Sequence, residues 1–331
     1  MQKIINTYSK IPSNISQIQE DQLENTSADV KKSGHLELLN AQIGDFTIVE
    51  ILCETNSSTL CVANYNNVLY TLKVARTLPY FQDLMLKEIQ NFHLIQTLDI
   101  SPKLVRVQTS LPVFLAYKFE PLTLDKALHI NKTGFNIDLV KQFGCQLISL
   151  AKQLPFIHNN IQIKNILITD QLKLKLIDFN GIMDDNNTPY EQFAFVENDP
   201  TVWQIGHVLM HLYLGRSPFG QTIFQSMHNQ LQILGEPDYK LFSIQQRKRL
   251  FDDWNDTIHI QVEEQIINIC GQIKWKYCPN LNILNAFNQA YQRVELDVLF
   301  GNEFGQFLKK VMSNNFAERP TLDDVIWEWL E

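Results

Sequence analysis

The spacing of apolar and polar positions changes several times along the chain, and each change marks an element. Residues 1–44 show little periodicity and are rich in Asn, Gln, Ser, Glu and Lys. Such a stretch buries too little apolar surface to offset its conformational entropy, so it reads as a disordered arm. The alternative is an amphipathic segment that folds on a partner. From Phe46 the pattern turns strand-like over 46–52, 59–65 and 68–75, with Asn66-Asn67 as a turn signal. Residues 81–98 are helical in period, with Leu84, Leu86, Ile89, Phe92 and Ile95 apolar. Two strands (104–107 and 113–117), a short helix (122–129) and a long helix (135–154) follow. The long helix carries the stripe Leu139, Phe143, Leu147, Leu150. A polar loop, 158–165, then separates two apolar runs. Ile166-Leu167-Ile168 reads as a buried strand and Thr169-Asp170-Gln171 as a turn. Leu172, Leu174 and Leu176 alternate with Lys173 and Lys175, a strand with one wet face that delivers Asp178. An acidic, irregular stretch follows Gly181. A helix apolar on most faces begins near Pro200, and helical patterns recur at 262–273 and 283–294.

Composition narrows the classes. The 331 residues are 45% hydrophobic and 19% charged, enough for one bilobal domain or two. A net charge of −8 argues against a general nucleic-acid-binding surface, and Arg247-Lys248-Arg249 reads as a solvated face. No apolar run reaches the roughly 18 residues of a membrane helix, and the first residues lack the apolar core of a secretory signal. Five cysteines without close pairing read as reduced, mostly buried thiols, which points to a reducing, cytoplasmic setting. His207 and His211 have metal-ligand spacing, but no third ligand accompanies them, so packing is the better reading.

The chemistry gathers in the polar loop and hairpin. Asn165 and Asp178 stand 13 positions apart at the two ends of one hairpin, two oxygen donors within reach of one hard cation. Here the chain resembles the eukaryotic protein kinases. Their catalytic loop, H-R-D-L-x-x-x-N, matches His158 to Asn165, and their D-F-G turn matches Asp178-Phe179-Asn180. Tyr70-Thr71-Leu72-Lys73-Val74 resembles the V-A-I-K strand, and Glu88 resembles the C-helix glutamate that pairs with its lysine. A lone strand lysine is ordinarily a solvated one; the glutamate 15 positions on favours the pair. Residues 118–121 match the hinge between lobes. The guard of the adenine pocket is expected at or beside Ala116. Pro200 to Gly206 resembles the D-V-W-S-L-G helix and Arg319-Pro320-Thr321 the closing segment, where Arg319 is expected to pair with Glu197 of the A-P-E echo. Thr321 is expected to cap the last helix.

The resemblance covers about residues 46–331. It implies an α+β, bilobal fold over 45–331, with a small β lobe over 45–118 and a mainly helical large lobe over 119–331 that includes a helical insert at 238–300. It implies ATP and Mg²⁺ as cofactors, with Lys73, Glu88, Asn165 and Asp178 on the nucleotide and Asn165 and Asp178 on the metal.

The departures are as informative as the matches. The aspartate that accepts the substrate proton in the family is Asn160 here, an amide with no useful basicity. Asn159 replaces the arginine that reads activation-loop phosphate, and Gln162 replaces a lysine at the transferring phosphate. Lys164 is the candidate to supply that charge. The three loop glycines are Cys53, Thr55 and Ser58, the activation segment is short, and the bracing aspartate of the D-V-W helix is Thr201. The expectation is a pseudokinase: a scaffold or allosteric regulator of protein partners that binds ATP and Mg²⁺ weakly. The alternative is a slow or atypical ATP-dependent phosphotransferase. A small-molecule kinase is disfavoured by the R-P-T ending and by the same missing aspartate.

Overall fold

The computed structural model describes residues 39–55, 57–120, 122–180, 200–219, 230, 233–234, 296–313 and 315–324. The helical patterns at 262–273 and 283–294, the run Arg247-Lys248-Arg249 and the segment holding Glu197 lie outside these residues, as does most of the N-terminal arm. The chain divides into two compact units. The first takes in Met1–Ile130, Gln153–Phe156 and Ile163–Gly181; the second takes in Asn131–Lys152, Ile157–Gln162 and Ile182–Glu331. Among the described residues no helix is long and apolar enough to cross a membrane.

The first unit is built on a six-stranded antiparallel sheet ordered β1-β2-β3-β4-β6-β5. Its strands are β1 (Gln42–Ile43), β2 (Phe46–Glu54), β3 (Ser58–Tyr65), β4 (Val68–Ala75), β5 (Leu104–Gln108) and β6 (Phe114–Lys118). The three strands read between 46 and 75 are all present. Asn66 and Asn67 both have positive φ, 50° and 62°, the backbone a two-residue type I′ hairpin turn requires. β1 escapes a periodicity reading because two residues have no period, yet Ile43 is buried in the sheet core. One face of the sheet packs Phe46, Ile48, Cys61, Ala63, Leu72, Phe114 and Ala116 together. Phe46 meets Tyr65, Tyr70 and Phe114 at ring-centroid distances of 5.4–6.0 Å. The sheet curls until its edges meet: Asp45, between β1 and β2, pairs with Arg106 on β5.

Helix α1 (Pro79–Ile95) begins on a proline at N1 and buries Met85, Glu88, Ile89, Phe92 and Ile95. These positions form one helical stripe, and the carboxylate of Glu88 stands within it. Because side chains alternate along a strand, Leu72 faces the sheet core and Lys73 faces the other way, onto α1. The first unit also holds α2 (Leu124–Ile130), a 3₁₀ turn at Ile163–Asn165 and a hairpin of β7 (Ile166–Ile168) and β8 (Leu174–Leu176). Leu172, read as the first residue of that second strand, instead turns the chain with φ 59°. Of the described cysteines Cys61 is buried and Cys53 and Cys145 are exposed; Cys270 and Cys278 lie outside the described residues.

The second unit is helical. Helix α3 (Ile137–Gln153), all but its last residue within this unit, starts where Asn136 accepts the N–H of Leu139 at 2.9 Å. Val140, rather than Leu139, joins Phe143, Leu147 and Leu150 on its buried stripe. Helix α4 (Thr201–Leu214) is buried from Thr201 to Leu212 and ends at Gly215 in the left-handed region. Helices α5 (Leu296–Phe300) and α6 (Asn302–Val311) complete the described part. Gly206 lets α6 approach α4: a Cβ there would lie 2.7–2.9 Å from Met312 and Val311. His207 packs in a stack with Trp203 and Phe219, consistent with a core role.

Candidate functional site

Strand alternation, the helix stripe and the hairpin bring four of the expected site residues into one cluster of the first unit. Lys73 Nζ donates to Glu88 Oε2 at 2.8 Å and Oε1 at 3.1 Å, and makes a short ion pair with Asp178 Oδ1. Asn165, on the 3₁₀ turn that enters β7, donates its Nδ2 to Asp178 Oδ2 at 3.4 Å. The hairpin fixes this pair: Ile166 opposes Leu176, and the N–H of Ile177 donates to the carbonyl of Asn165. Lys164, beside Asn165, is exposed.

Glu88 is 2% exposed, so its charge has to be answered locally. Burial by itself pulls the Lys73 ammonium down in pKa, but Asp178 and then Glu88 outweigh it and hold the group well above the ordinary lysine range. Burial pushes the Glu88 carboxyl up, and the cation of Lys73 pulls it back. The two directions follow from unequal company: Lys73 faces two carboxylates, while Glu88 faces one cation and a second anion.

The turn that carries Asp178 is tied to α1. Phe179 is fully buried, edge-on to Phe92 at 4.9 Å and to Phe156 at 6.1 Å. Its carbonyl accepts the side-chain amide of Asn91 at 2.7 Å, and its own N–H reaches Glu88. Asp178 has φ 72°, a left-handed backbone uncommon outside glycine and better tolerated by Asp and Asn. Asn180 donates its side-chain amide to Asp178 Oδ1 at 3.2 Å.

The β2–β3 connection closes on itself. Thr55 Oγ1 accepts the N–H groups of Ser57 and Ser58 at 3.3 and 3.0 Å. Arg76 clasps the same loop, its Nε donating to the carbonyl of Thr55 at 2.7 Å and its N–H to that of Ser57 at 2.9 Å. The N–H groups of Ser57 and Ser58 are thereby engaged within the loop itself. Ala116 lies in the sheet core, so it does not face the Lys73 side. Tyr117 does: it is buried and stacked on Phe92 at 6.3 Å. Both positions fall within the stretch expected at or beside Ala116, and the alternation of β6 puts them on opposite faces.

Asn160 belongs to the second unit. Its side-chain oxygen accepts from Gln162 Nε2 at 2.8 Å, and its N–H donates to His158 Nδ1 at 3.3 Å. Asn159 has φ 61°. The loop is braced from α4 by Gln204, which is fully buried. Its oxygen accepts the N–H of Ile161 and its amide donates to the carbonyl of Asn159, both at 2.9 Å. The family's bracing aspartate is replaced by Thr201, and Gln204, a long polar side chain one turn on in a mainly apolar helix, braces the loop instead. Asn91 and Asn180 were missed as well, since a lone amide has no pattern to read. In the closing segment, Arg319 donates its Nε to the carbonyl of Ser313 at 2.6 Å, and its expected partner Glu197 is outside the described residues. Thr321 accepts the N–H of Asp324 at 3.2 Å, and the helix it is expected to cap lies outside the described residues.

The donor set fits a nucleotide and a hard cation in kind: one ammonium for phosphate oxygens, and one carboxylate and one amide for a cation that prefers oxygen. No protein-family model matches the sequence, and no curated protein matches it. Among solved structures, the kinase domain of PF14_0431 is similar, with a TM-score of 0.66 and 16% identity, over 89% of this chain and 96% of that domain. At that identity the likeness speaks for architecture, and the chain has an α+β, protein-kinase-like fold.

Proposed function

We propose that the chain is a pseudokinase: a scaffold or allosteric regulator that binds ATP weakly with Mg²⁺ and acts through protein partners. The observation that carries this reading is the amide at position 160. Asn160 stands in a loop of otherwise family-like form, with its side-chain oxygen accepting from Gln162. An amide orients a hydroxyl but does not take its proton, and general-base help is worth roughly 10²–10⁴ in rate.

The nucleotide part of the reading rests on Lys73, Glu88, Asn165 and Asp178. In it, Lys73 contacts phosphate oxygens, Glu88 holds Lys73 in place, and Asp178 with Asn165 holds the cation. ATP would bring the transferable phosphoryl group, and Mg²⁺ would offset its charge. The loop amides engaged by Thr55 support weak rather than tight binding. Losing a few such contacts at about 0.5–1.5 kcal/mol each lowers affinity by one to a few powers of ten. Dissociation constants of tens of micromolar to millimolar follow, a rough conversion.

The test is a thermal shift at millimolar ATP and Mg²⁺, since a ligand stabilises the fold only above its dissociation constant. A shift that Asp178→Asn removes is the expected result. No shift, with the protein folded, overturns nucleotide binding and leaves a pure scaffold. One observation favours a second reading, a slow phosphotransferase: the Lys73, Glu88, Asn165 and Asp178 cluster is complete, and phosphoryl transfer relies mainly on positioning and electrostatics. That reading requires Mg²⁺-dependent turnover that Asp178→Ala abolishes.

A further inference from the structure

The Asp178 carboxylate is taken up by nitrogen donors of the chain itself. Oδ1 accepts both the Lys73 ammonium and the Asn180 side-chain amide, and Oδ2 accepts the Asn165 amide across a longer 3.4 Å. A Mg²⁺ ion needs the same oxygen lone pairs at about 2.0–2.1 Å, and it would meet the positive charge of Lys73 on Oδ1. Asn180 is the donor that the D-F-G pattern lacks, because a glycine there has no side chain. Its bond spans only two positions, so closing it orders little chain.

The neighbouring residues keep Asn180 in place. Phe179 is buried between Phe92 and Phe156, its carbonyl is held by Asn91, and Asp178 is set in the left-handed region. From this geometry we propose that Asn180 is a positioning residue that latches Asp178 onto Lys73 and so sets how strongly the site takes a divalent cation. The latch deepens the nucleotide-site reading above and rests on it for the part that concerns ATP. It adds a second reason, beside the engaged loop amides, for the weak Mg²⁺-assisted binding proposed above. Breaking the latch frees one lone pair of a carboxylate that a cation can then use.

The test uses the full chain and Mn²⁺ as the probe, its binding followed by the loss of the free-ion electron paramagnetic resonance signal without nucleotide. Asn180→Ala is expected to bind Mn²⁺ about tenfold more tightly than the wild type, one hydrogen bond to a carboxylate expressed as an affinity. The gain is expected to vanish in Asn180→Ala/Asp178→Asn. Asn180→Gly serves as the second variant should the alanine form fail to fold. Equal Mn²⁺ affinity in wild type and variant overturns the latch, as does a gain that survives the loss of the Asp178 charge. A parallel ATP titration, with Mg²⁺ or with EDTA, is expected to show a larger Mg²⁺ gain in Asn180→Ala than in the wild type. If ATP binds neither protein while the Mn²⁺ gain holds, the latch stands and the nucleotide reading falls.

Discussion

The Lys73 cluster and the loop around Asn160 both take polar groups out of water, and they do so by opposite means. In the first unit an ammonium and two carboxylates answer one another, with amides filling in around them. In the second unit neutral amides bond the loop: Gln204 bonds Asn159 and Ile161, and Gln162 bonds Asn160. The charged cluster ties a helix, a strand and a hairpin of the first unit together, whereas the amides of the second unit fix loop backbone without adding charge. In the function proposed above, the first set serves phosphate and cation, and the second has an amide where a proton acceptor would stand.

The comparison breaks most visibly at Lys73. Lys73→Met leaves Glu88 buried without its cation, and removing one partner of a buried pair costs about 3–5 kcal/mol. Denaturant unfolding is expected to show that loss, with part of it recovered in Lys73→Met/Glu88→Gln. A stable Lys73→Met protein would mean that the cluster serves ligands and not the fold. This expected loss is also why Asp178→Asn, which removes the charge and keeps the shape, is the better control for nucleotide binding.

The neutral side breaks at Gln204. Gln204→Leu removes its bonds to the N–H of Ile161 and the carbonyl of Asn159. At about 1–3 kcal/mol for the buried bond, with a smaller addition from the half-buried one, the expected cost is about 1–4 kcal/mol. Urea unfolding measures it, and a loss under about 0.5 kcal/mol would move the brace elsewhere.

Acid sharpens the contrast further. Burial, with a smaller contribution from His211, pushes His207 down to about 3 from an ordinary value near 6.5. The unfolded chain therefore binds the proton that the folded chain refuses between those two values, so stability is full above about pH 6.5 and falls as pH drops towards 3. At about 1.4 kcal/mol for each pH unit, a loss on the order of 2–3 kcal/mol is expected between pH 6.5 and 4.5. Unfolding curves across that range should be flatter for His207→Phe; an unchanged slope would assign the acid sensitivity to another group.

Much of this was legible in the sequence because period carries it. The strands from Phe46 onward, the Glu88 helix and the hairpin between Asn165 and Asp178 announce themselves through spacing. Lys73 and Glu88 were identifiable as partners through the resemblance to the V-A-I-K strand and the C-helix glutamate, 15 positions apart; the burial of Glu88 shows why the pair is needed. Periodicity has no hold on β1, which is two residues long, or on Leu172, whose turn conformation depends on the hairpin closing. Nor does it reach Asn91, Asn180 and Gln204. Each acts through one amide on backbone or carboxylate atoms placed by the fold, so only the geometry shows what it holds. Alternation gives β6 two faces and does not say which one looks at Lys73; the fold puts Tyr117 on that face and Ala116 in the sheet core.

The smallest expected effect is the most pointed for function. Asn160→Asp restores the missing carboxylate with hardly any change of shape, so its cost to stability is expected to stay under about 1 kcal/mol. The bond from Gln162 favours this: Gln162 donates to the side-chain oxygen of residue 160, and a carboxylate accepts that bond as well as an amide does. A base alone does not rebuild phosphate handling. The loop amides stay engaged by Thr55, Gln162 still stands where the family carries a lysine, and Asn180 still holds Asp178. Radiolabelled ATP with Mg²⁺ and a generic peptide is therefore expected to show turnover well below about 1 s⁻¹, the lower end of the ordinary kinase range. Turnover at or above that value from this one change would show that the remaining departures are harmless, and that the two regions differ by a single proton acceptor.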